Sequence, residues 1–460
     1  MISSTLSTYS ILPSIAGGLG FSFNPEVISK GLEHPQAVGI SEISGFSVIS
    51  RSEELLDAID ICSKKKLSLQ GHLAGISGKN LNTCIAAGVA ADHEAISETE
   101  ALERLRSGCH LMMREGSVAS NLRDCLKAIR NNNLDTSNTS IVTDDLHVCD
   151  AVAKGHLDAS VRIALSEGID FVKAIQMVTI NAAKMFHVEH QVGVLAPGRR
   201  ADINITSGPE DFKVYSVIAA GKLWMKDNEI LTHYSPAVHN PILLNTMHLK
   251  RPVTPEDFQI RVSEDVKRVQ VTAMKTESCA LVTSPVTGWL NVKNGIVQCD
   301  PEQDILYITQ IERHGKNGRI GKAFMSGFGL KSGAIACSIG HDNHNIIVLG
   351  TNFEDMALAA NRLSDIQGGQ IVVKNGQILS EITYPICGLL SDLPAEELAR
   401  EKEKANRLIR DMSKETSISI PFMVLSFVCL SVIPEFAVTD HGFIDVFQGK
   451  VIDPIIACEK

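Results

Sequence analysis

Two short apolar runs, each ending in a histidine, constrain the fold of this chain more than any other feature. Residues 66–71 lead into His72 and residues 88–92 lead into His93, so the two histidines lie 21 positions apart, at 72 and 93. That spacing fits one strand–helix unit, and parallel strands joined by a helix end at the same edge of a sheet. The sequence therefore predicts two imidazoles at the carboxyl edge of a parallel sheet, which in a β/α barrel is the catalytic face.

The alternation of apolar runs with amphipathic segments extends over residues 1 to about 150. Segments such as Glu53–Lys65 and Glu98–Ser107 have helical periodicity, and longer helices are expected at Ala151–Glu167 and Phe171–Phe186. This pattern predicts parallel βαβ units in an α/β domain over residues 1–190. The apolar runs, which we interpret as strands, are Tyr9–Pro13, Ala37–Glu42, Leu67–His72, Val89–His93, Leu111–Glu115 and Ser140–Asp145.

The rest of the chain has a different pattern. A turn at Pro197-Gly198 leads into short strands, with a hairpin turn at Ala220–Lys222, which predicts a small β-domain over residues 191–240. A stretch rich in Pro, Asn and His, His233–Pro255, then reads as a linker to an α+β domain over residues 257–460. In that domain we expect strands at Val269–Met274, Asp304–Ile311 and Ile346–Leu349, helices at Asp355–Leu363 and Ala395–Met412, and a buried strand pair within Pro421–Val438.

Composition excludes several classes of function. The net charge of −10 is spread along the chain and no basic run is interleaved with aromatic residues, so we expect no nucleic acid partner. The eleven cysteines form no CxxC pair, which favours reduced thiols in a cytoplasmic enzyme over a zinc ribbon or a disulfide framework. The N-terminus lacks a signal-peptide pattern, and Pro434 and Glu435 interrupt the most apolar run, so we expect no membrane partner.

Four chemically active side chains end runs of the predicted βα series. Glu42 closes residues 38–42, His72 and His93 close the next two runs, and Asp144 closes residues 141–144. Two imidazoles and a carboxylate can hold a divalent metal ion, which acidifies a bound water. Asp144 could then accept the proton of that water and pass it to a leaving group. The pattern predicts a metal-dependent hydrolase, with Glu42, His72 and His93 as metal ligands and Asp144 as the catalytic acid–base.

Motifs throughout the chain resemble the amidohydrolase superfamily and, within it, the adenine deaminase family. The barrel-type motifs are Asp92-His93-Glu94, Met113–Ser117, Thr143-Asp144-Asp145, Ala174–Ala183 and Gly193–Asp202. Motifs resembling the additional C-terminal domain of that family are Glu312–Gly315, Gly327–Ala334, His341–Asn345, Thr351-Asn352 with Asp355-Met356, and Thr439–Gly442. Together these motifs cover nearly the whole chain.

The resemblance implies hydrolysis of adenine by water to hypoxanthine and ammonia. It also implies a binuclear site holding manganese or iron, a cytoplasmic location and a homo-oligomer. By position, Glu42, His72 and His93 resemble the ligands of the fourth, fifth and sixth barrel strands, and Asp144 resembles the acid of the eighth. The crowded polar loop that contains His341, Asp342, His344 and Asn345 is interpreted as a substrate-binding loop, with a surface turn as the alternative.

One feature departs from the family pattern. The first barrel strand of the superfamily ends in a His-x-His pair, whereas residues 1–40 contain only His34. We therefore expect an incomplete TIM-like (β/α)8 metal-dependent hydrolase barrel without its first strands, together with a small β-domain and an α+β C-terminal domain. A fragment of a longer protein, completion by a partner segment and a degenerate protein are the three explanations, of which the sequence favours the first.

Two other functions stay open at this point. One is hydrolysis of another cyclic amidine or cyclic amide, against which the C-terminal motifs argue. The other is a catalytically inactive purine-binding protein, which the missing His-x-His pair favours. Arg114 and Glu115 also end a run, and we interpret them as a structural ion pair rather than as substrate contacts.

Overall fold

The computed structural model describes residues 4–7, 24–232, 238–276, 282–414, 416–431 and 435–460. These residues form two compact units, one containing residues 4–7 and 24–232 and the other beginning at residue 238. The run Tyr9–Pro13, expected as a strand, lies outside the described residues, as does part of the predicted linker, at 233–237. No helix of the described ranges is both long and apolar enough to span a bilayer.

The first unit is built on a six-stranded sheet in which every neighbouring pair is parallel and the strands follow one another in chain order. The α/β prediction is therefore confirmed, and all carboxyl ends of the strands lie at one edge. In the described residues the first and last strands are the two edges of an open sheet, so no eight-stranded barrel closes here. The strands are β1 (Ser4–Ser7), β2 (Ala37–Ser44), β3 (Ser68–His72), β4 (Ala91–Asp92), β5 (His110–Arg114) and β6 (Thr139–Val142).

Ten helices occur among the described residues of this unit. They are α1 (Pro25–Gly31), α2 (Gly45–Ile49), α3 (Glu53–Lys64), α4 (Gly78–Ala86), α5 (Glu98–Arg106), α6 (Leu122–Asn132), α7 (Val148–Lys154), α8 (Leu157–Ser166), α9 (Phe171–Met177) and α10 (Ile180–Met185). Helix α6 buries Leu122, Leu126 and Ile129 in the same apolar cluster as Leu111 and Met113 of β5. This packing anchors α6 against β5, the strand that ends in Arg114.

Both long helices expected after β6 are interrupted. Gly155, with φ of 104°, ends α7 before α8 begins, because a glycine adopts this conformation without the steric cost of a Cβ. Thr179, with φ of −134° and ψ of −94°, separates α9 from α10, and its hydroxyl donates to the carbonyl of Ile175 at 2.6 Å. The predictions of single helices over 151–167 and 171–186 are therefore wrong at these two breaks.

A four-stranded antiparallel sheet follows in the same unit. Its strands are β7 (Ile203–Thr206), β8 (Val214–Ala219), β9 (Lys222–Lys226) and β10 (Glu229–Ile230), in the order β10-β9-β8-β7. Ala220 and Gly221 connect β8 to β9 with φ of 49° and 77°. Two consecutive left-handed residues are typical of the two-residue hairpin turn whose twist matches that of the flanking strands.

The second unit is α+β. Its ten-stranded sheet has the order β13-β12-β11-β15-β14-β17-β16-β18-β19, with β23 also paired to β11, and β20, β21 and β22 form a separate antiparallel sheet. The strands are β11 (Arg268–Lys275), β12 (Ser284–Lys293), β13 (Ile296–Val297), β14 (Leu306–Ile311), β15 (Ile320–Ser326), β16 (Ala334–Cys337), β17 (Ile346–Gly350), β18 (Gly369–Lys374), β19 (Gln377–Thr383), β20 (Phe436–Thr439), β21 (Gly442–Asp445), β22 (Lys450–Ile452) and β23 (Ile455–Glu459).

The described residues of this unit contain three α-helices, α11 (Phe353–Asp365), α12 (Ala395–Met412) and α13 (Pro421–Phe427). The expectation of a strand pair within Pro421–Val438 is wrong in its first half, which is α13, and among the residues of this run that the structure describes β20 is the one strand. Pro421 stands at the first turn of α13, where its fixed φ suits a helix and its missing N–H is not needed. A run that is buried nearly all round has no helical periodicity, so its type could not be read from the sequence.

Candidate metal centre

Glu42 enters the carboxyl edge of the sheet through a β-bulge. The pairing of β2 with β3 shifts register between Ile40 and Ile43, and Glu42 within this shift has φ of 57°. Glu42 therefore lies inside β2, which continues to Ser44, and the expectation that it ends the strand is corrected. A bulge bends the strand and redirects a side chain, which explains how an internal residue projects toward its neighbours at the sheet edge.

The two histidines lie beside each other as the strand–helix spacing predicts. His72 is the last residue of β3 and His93 directly follows β4. Their ring centroids are 5.6 Å apart and the rings are inclined at 65°. Parallel pairing of β3 with β4 produces this proximity, because Gly71 is in register with Asp92 and the next residue on each strand is a histidine.

A buried ion pair fixes the backbone around both histidines. Asp92, which precedes His93, accepts from the amide of Leu73 at 2.9 Å and from Arg104 Nε at 2.7 Å. Arg104 in turn donates through Nη2 to the carbonyl of Leu73 at 2.9 Å. Both backbone groups of Leu73, the residue after His72, are thus bonded to the ion pair. Because Asp92 of this pair directly precedes His93, the ion pair fixes the two histidines relative to each other.

Glu42, His72 and His93 form a cluster with the geometry of a metal site. Glu42 Oε2 lies 3.2 Å from His72 Nδ1, and Glu42 Oε1 lies 3.7 Å from His93 Nε2. One ligand atom from each of the three residues lies within 4.8 Å of the others, and within the described part of the chain no other set of three such side chains does so. Two imidazole nitrogens and a carboxylate suit a divalent transition metal ion, so these residues fit the ion that the sequence predicts.

The charges of the cluster are strongly coupled. Burial lowers the pKa of His93, but hydrogen bonding to Glu94 and the charge of Glu42 raise it to about 10. Burial likewise opposes the charged form of His72, yet the charge of Glu94 and the hydrogen bond to Glu42 raise its pKa. For Glu42, burial raises the pKa while His72 and His93 lower it below its usual value. The cluster therefore favours ionised carboxylates that face protonated imidazoles. A bound cation would take the place of the protons on those imidazoles.

Glu94 contacts both histidines of this cluster, although the sequence pattern did not indicate a function for it. Its Oε1 lies 3.1 Å from His93 Nε2, 3.5 Å from His72 Nδ1 and 2.6 Å from Arg114 Nη1. Burial raises the pKa of Glu94, but His72, His93 and Arg114 together hold it far below its usual range. The sequence feature that could have indicated a function for Glu94 is its position directly after His93, at the end of a strand.

Arg114 connects this cluster to Asp144. It is the last residue of β5, with 4 % of its side chain exposed, and its Nη1 also lies 3.5 Å from Asp144 Oδ2. Asp144 lies two residues beyond β6 with φ of 51°, and 37 % of its side chain is exposed. The structure thus places all four predicted residues of the first unit at one edge of the sheet, with Asp144 linked to the cluster through Arg114 and Glu94.

Asp145, the neighbour of Asp144, serves the backbone instead. Its Oδ2 accepts from the amides of Val118 and Ala119 at 3.0 and 3.1 Å. Burial raises the pKa of Asp145, and a Cβ at Gly116 would lie 1.6 Å from its Oδ1. Asp145 therefore holds the loop after β5 against the loop after β6.

The four predicted substrate-binding residues lie in the second unit, on the loop between β16 and β17. Asn345 is fully buried and its Oδ1 accepts from the amide of Arg313 at 3.3 Å. His341 stacks on Phe427 with ring centroids 5.1 Å apart and its Nδ1 contacts Asp342. Burial lowers the pKa of His344 to about 4, so its imidazole is neutral at neutral pH.

Arg313 anchors this loop from inside the second unit. Its Nε donates to the carbonyl of His344 and its Nη2 donates to the carbonyl of Cys387 at 3.0 Å. Burial lowers the pKa of Arg313 to about 10. The neighbouring Asn343 donates to Gln310 Oε1 at 2.9 Å, so the second half of the loop is anchored while His341, Asp342 and His344 stay partly exposed.

Two protein-family models match the chain. The amidohydrolase family matches residues 23–224, and the adenine deaminase C-terminal domain matches residues 280–450. The first match contains the metal cluster with Arg114 and Asp144, and the second contains the loop from His341 to Asn345. Each of the two units therefore carries one of the two matches.

Curated relatives match the chain over almost its full length. An adenine deaminase of Clostridium botulinum (strain 657 / Type Ba4) is 34% identical over 455 residues, covering 98% of this chain and 76% of the relative. An adenine deaminase of Methanococcoides burtonii is 37% identical over 439 residues, covering 95% of this chain and 73% of the relative. Among solved structures, a β-aspartyl dipeptidase from Fervidobacterium islandicum aligns with a TM-score of 0.37 and 16% identity, over 45% of this chain and 61% of that chain.

Proposed function

The chain belongs to the adenine deaminase family, and on that basis we propose that it catalyses the hydrolytic deamination of adenine to hypoxanthine and ammonia. The observation that carries the proposal is the cluster of Glu42, His72 and His93 at the carboxyl edge of the sheet. Asp144 lies at the same edge, within reach of Arg114. A ligand set and a separate carboxylate are the two parts that hydrolytic deamination requires.

Glu42, His72 and His93 would hold a divalent metal ion, for which we propose manganese or iron. When bound, such an ion supplies an acidified water, because coordination lowers the pKa of water from about 16 to about 7. We also propose a binuclear metal site and a (β/α)8 barrel to which the six strands contribute. The proposal further includes a homo-oligomeric assembly and a cytoplasmic location.

Asp144 is proposed to move the proton. Water adds to C6 of the purine through its oxygen while the π electrons of the C6–N1 double bond move to N1, and the Asp144 carboxylate accepts the proton that the water loses. Asp144 then donates this proton to the exocyclic nitrogen, the electron pair on N1 forms the C6–N1 double bond again, and the bond from C6 to the exocyclic nitrogen breaks, so ammonia leaves while C6 keeps the oxygen. Arg114 Nη1 lies 3.5 Å from Asp144 Oδ2, so the guanidinium helps to position this carboxylate at the edge of the sheet.

The loop from His341 to Asn345 is proposed to bind the purine. Its partly exposed imidazoles and carboxylate have both donors and acceptors, and a purine has ring acceptors and an exocyclic amine. A site that bonds these groups rejects analogues that leave its own polar atoms unpaired. The neutral His344 suits this purpose, because a neutral imidazole can both donate and accept.

A substrate panel tests the proposal. The manganese-loaded chain is expected to release ammonia from adenine and not from cytosine or from cyclic amides such as dihydroorotate. Preferred turnover of a cyclic amide would instead favour another amidohydrolase activity. Saturable binding of adenine without ammonia release, in a chain that holds its metal, would favour a purine-binding protein without catalysis.

A further inference from the structure

The side chain of Asp144 is held by one charged group. Asp144 lies two residues beyond β6 with φ of 51°, and 37 % of its side chain is exposed. Among the described residues its one ion-pair partner is Arg114, whose Nη1 lies 3.5 Å from Oδ2. The position of the Asp144 carboxylate therefore depends on where the Arg114 guanidinium lies.

Arg114 divides its guanidinium unequally between two carboxylates. Nη1 lies 2.6 Å from Glu94 Oε1, which is a charge-assisted hydrogen bond. The 3.5 Å contact with Asp144 is longer than the usual N–H···O range of about 2.7–3.2 Å. Arg114 Nε is buried and has no hydrogen-bond partner among the described residues. Glu94 is thus the group that fixes the guanidinium.

Glu94 is itself fixed beside the metal ligands. It is 7 % exposed and directly follows His93, and its Oε1 lies 3.1 Å from His93 Nε2 and 3.5 Å from His72 Nδ1. Strands β4, β5 and β6 are parallel neighbours, so Glu94, Arg114 and Asp144 lie at or just after three adjacent strand ends. This row of contacts connects the two histidines to the group that is proposed to carry the proton.

We propose that Glu94 is a positioning residue for the proton transfer, which acts on Asp144 through Arg114. By accepting the hydrogen bond of Arg114, Glu94 keeps the guanidinium from bonding Asp144 directly. An arginine that bonds a carboxylate with both arms of its fork occupies the lone pairs that would accept a proton. Asp144 is instead held by charge, and its oxygens can take up the proton and release it. The inference rests on the proposed function, because it concerns the proton carrier of that reaction.

Glu94→Gln tests this assignment, because glutamine has the same size and still accepts from Arg114 but carries no charge. The guanidinium should then turn to the remaining carboxylate, and its distance to Asp144 should shorten from 3.5 Å to about 2.9 Å. Crystal structures of the full chain measure this distance whether or not the chain turns over adenine. Glu115→Gln is the matched control, since Glu115 accepts from Ser120, and it should leave the distance unchanged.

Kinetics of the Mn²⁺-loaded chain give a second readout. Glu94→Gln should lower kcat for adenine about tenfold or more and change KM less, because a small misplacement of a reacting group slows the chemical step. The Mn²⁺ content per chain should stay that of the unchanged protein, since Glu42, His72 and His93 are intact.

A double variant separates an effect through Asp144 from an effect on the metal ligands. In an Asp144→Asn chain, Glu94→Gln should cause no further loss of kcat, because the group that Glu94 positions is already gone. A further loss of about tenfold there would overturn the proposal, since Glu94 would then act on the histidines that it contacts.

An Arg114–Asp144 distance that stays at 3.5 Å in Glu94→Gln would also overturn the proposal. If thermal melting shows that Glu94→Gln does not fold, Glu94→Met/Arg114→Met removes both buried charges and should displace the Asp144 carboxylate by about 1 Å. A carboxylate that stays in place would contradict the assignment equally. An unchanged chain that holds its metal and forms no hypoxanthine would contradict the proposed function, while the distance would still decide the positioning.

Discussion

Asp92 and Arg104 form an ion pair in which both side chains are fully buried and Nε lies 2.7 Å from Oδ2. The pair connects β4 to the segment after β3, because Asp92 and Arg104 together bond both backbone groups of Leu73. His72 precedes Leu73 and His93 follows Asp92. The geometry of the metal cluster therefore depends on two residues that do not touch the metal position themselves.

Asp92→Asn should lower the free energy of unfolding by about 3–5 kcal/mol, since it leaves the Arg104 charge buried without its partner. Asp92→Leu/Arg104→Met, which removes both charges, should cost less. Urea unfolding of the metal-free chain measures both. If the single variant were as stable as the double variant, the buried Arg104 charge without its partner would not lower the free energy of unfolding, and the prediction would be wrong.

Asp144→Asn should reduce kcat for adenine by about 10²–10⁴-fold, because it removes the group that carries the proton. The metal content of this variant should equal that of the unchanged chain, since Asp144 lies outside the Glu42–His72–His93 cluster. Asp145→Asn is the control. Asp145→Asn should lower the melting temperature more than it lowers kcat, because Asp145 accepts from two backbone amides. Near-normal turnover by Asp144→Asn would mean that another group transfers the proton.

His110 predicts a pH dependence of stability that is independent of the metal. Burial lowers the pKa of His110 to about 4, while an unfolded histidine titrates near 6.5. The unfolded chain therefore binds a proton first as the pH falls. The contribution of His110 is fully present above about pH 6.5 and is lost progressively as the pH falls through about 4. Across that range it is worth about 3 kcal/mol.

The comparison of His110→Gln with the unchanged chain checks this dependence by urea unfolding at several pH values. The variant should lose less stability between pH 6.5 and 4, because the residue that must take up a proton is gone. Glutamine can still bond Ser140 and Asn138, which contact His110 at 2.7 and 3.2 Å. Parallel loss of stability in both proteins would show that His110 is not buried in its neutral form.

In the second unit, Asp342→Ala and His344→Ala should each lower turnover of adenine while leaving the melting temperature nearly unchanged, since both side chains are partly exposed. Asn345→Ala should instead destabilise the chain by about 1–3 kcal/mol, because Asn345 is fully buried and accepts from the amide of Arg313. Unchanged rates in both of the first two variants would assign the loop to a surface turn.

Much of the site could be predicted from the sequence because strand ends and register follow from spacing. The 21 positions between His72 and His93 required only that two parallel strands enclose one helix, as β3, α4 and β4 do. The bulge at Glu42 could not be predicted, because a one-residue insertion in strand pairing depends on the partner strand and leaves no local pattern.

Glu94 and Arg114 were harder to read for a different reason. An acid and an arginine 20 positions apart are most often solvated or structural, and only the pairing of β4 with β5 brings them to 2.6 Å. The helix breaks at Gly155 and Thr179 depend on single residues within otherwise continuous periodicity. The sequence of α13 has no helical periodicity of apolar and polar residues, because almost every side of this helix is buried.

The most direct test of the account is the conversion of adenine by the full chain loaded with Mn²⁺, followed as formation of hypoxanthine with ammonia released in equal amount, beside His93→Ala treated identically. The account predicts turnover by the unchanged chain and none by His93→Ala, because that variant lacks one of the three clustered ligands. Equal rates in the two proteins, or no hypoxanthine from an unchanged chain that holds its metal, would contradict it.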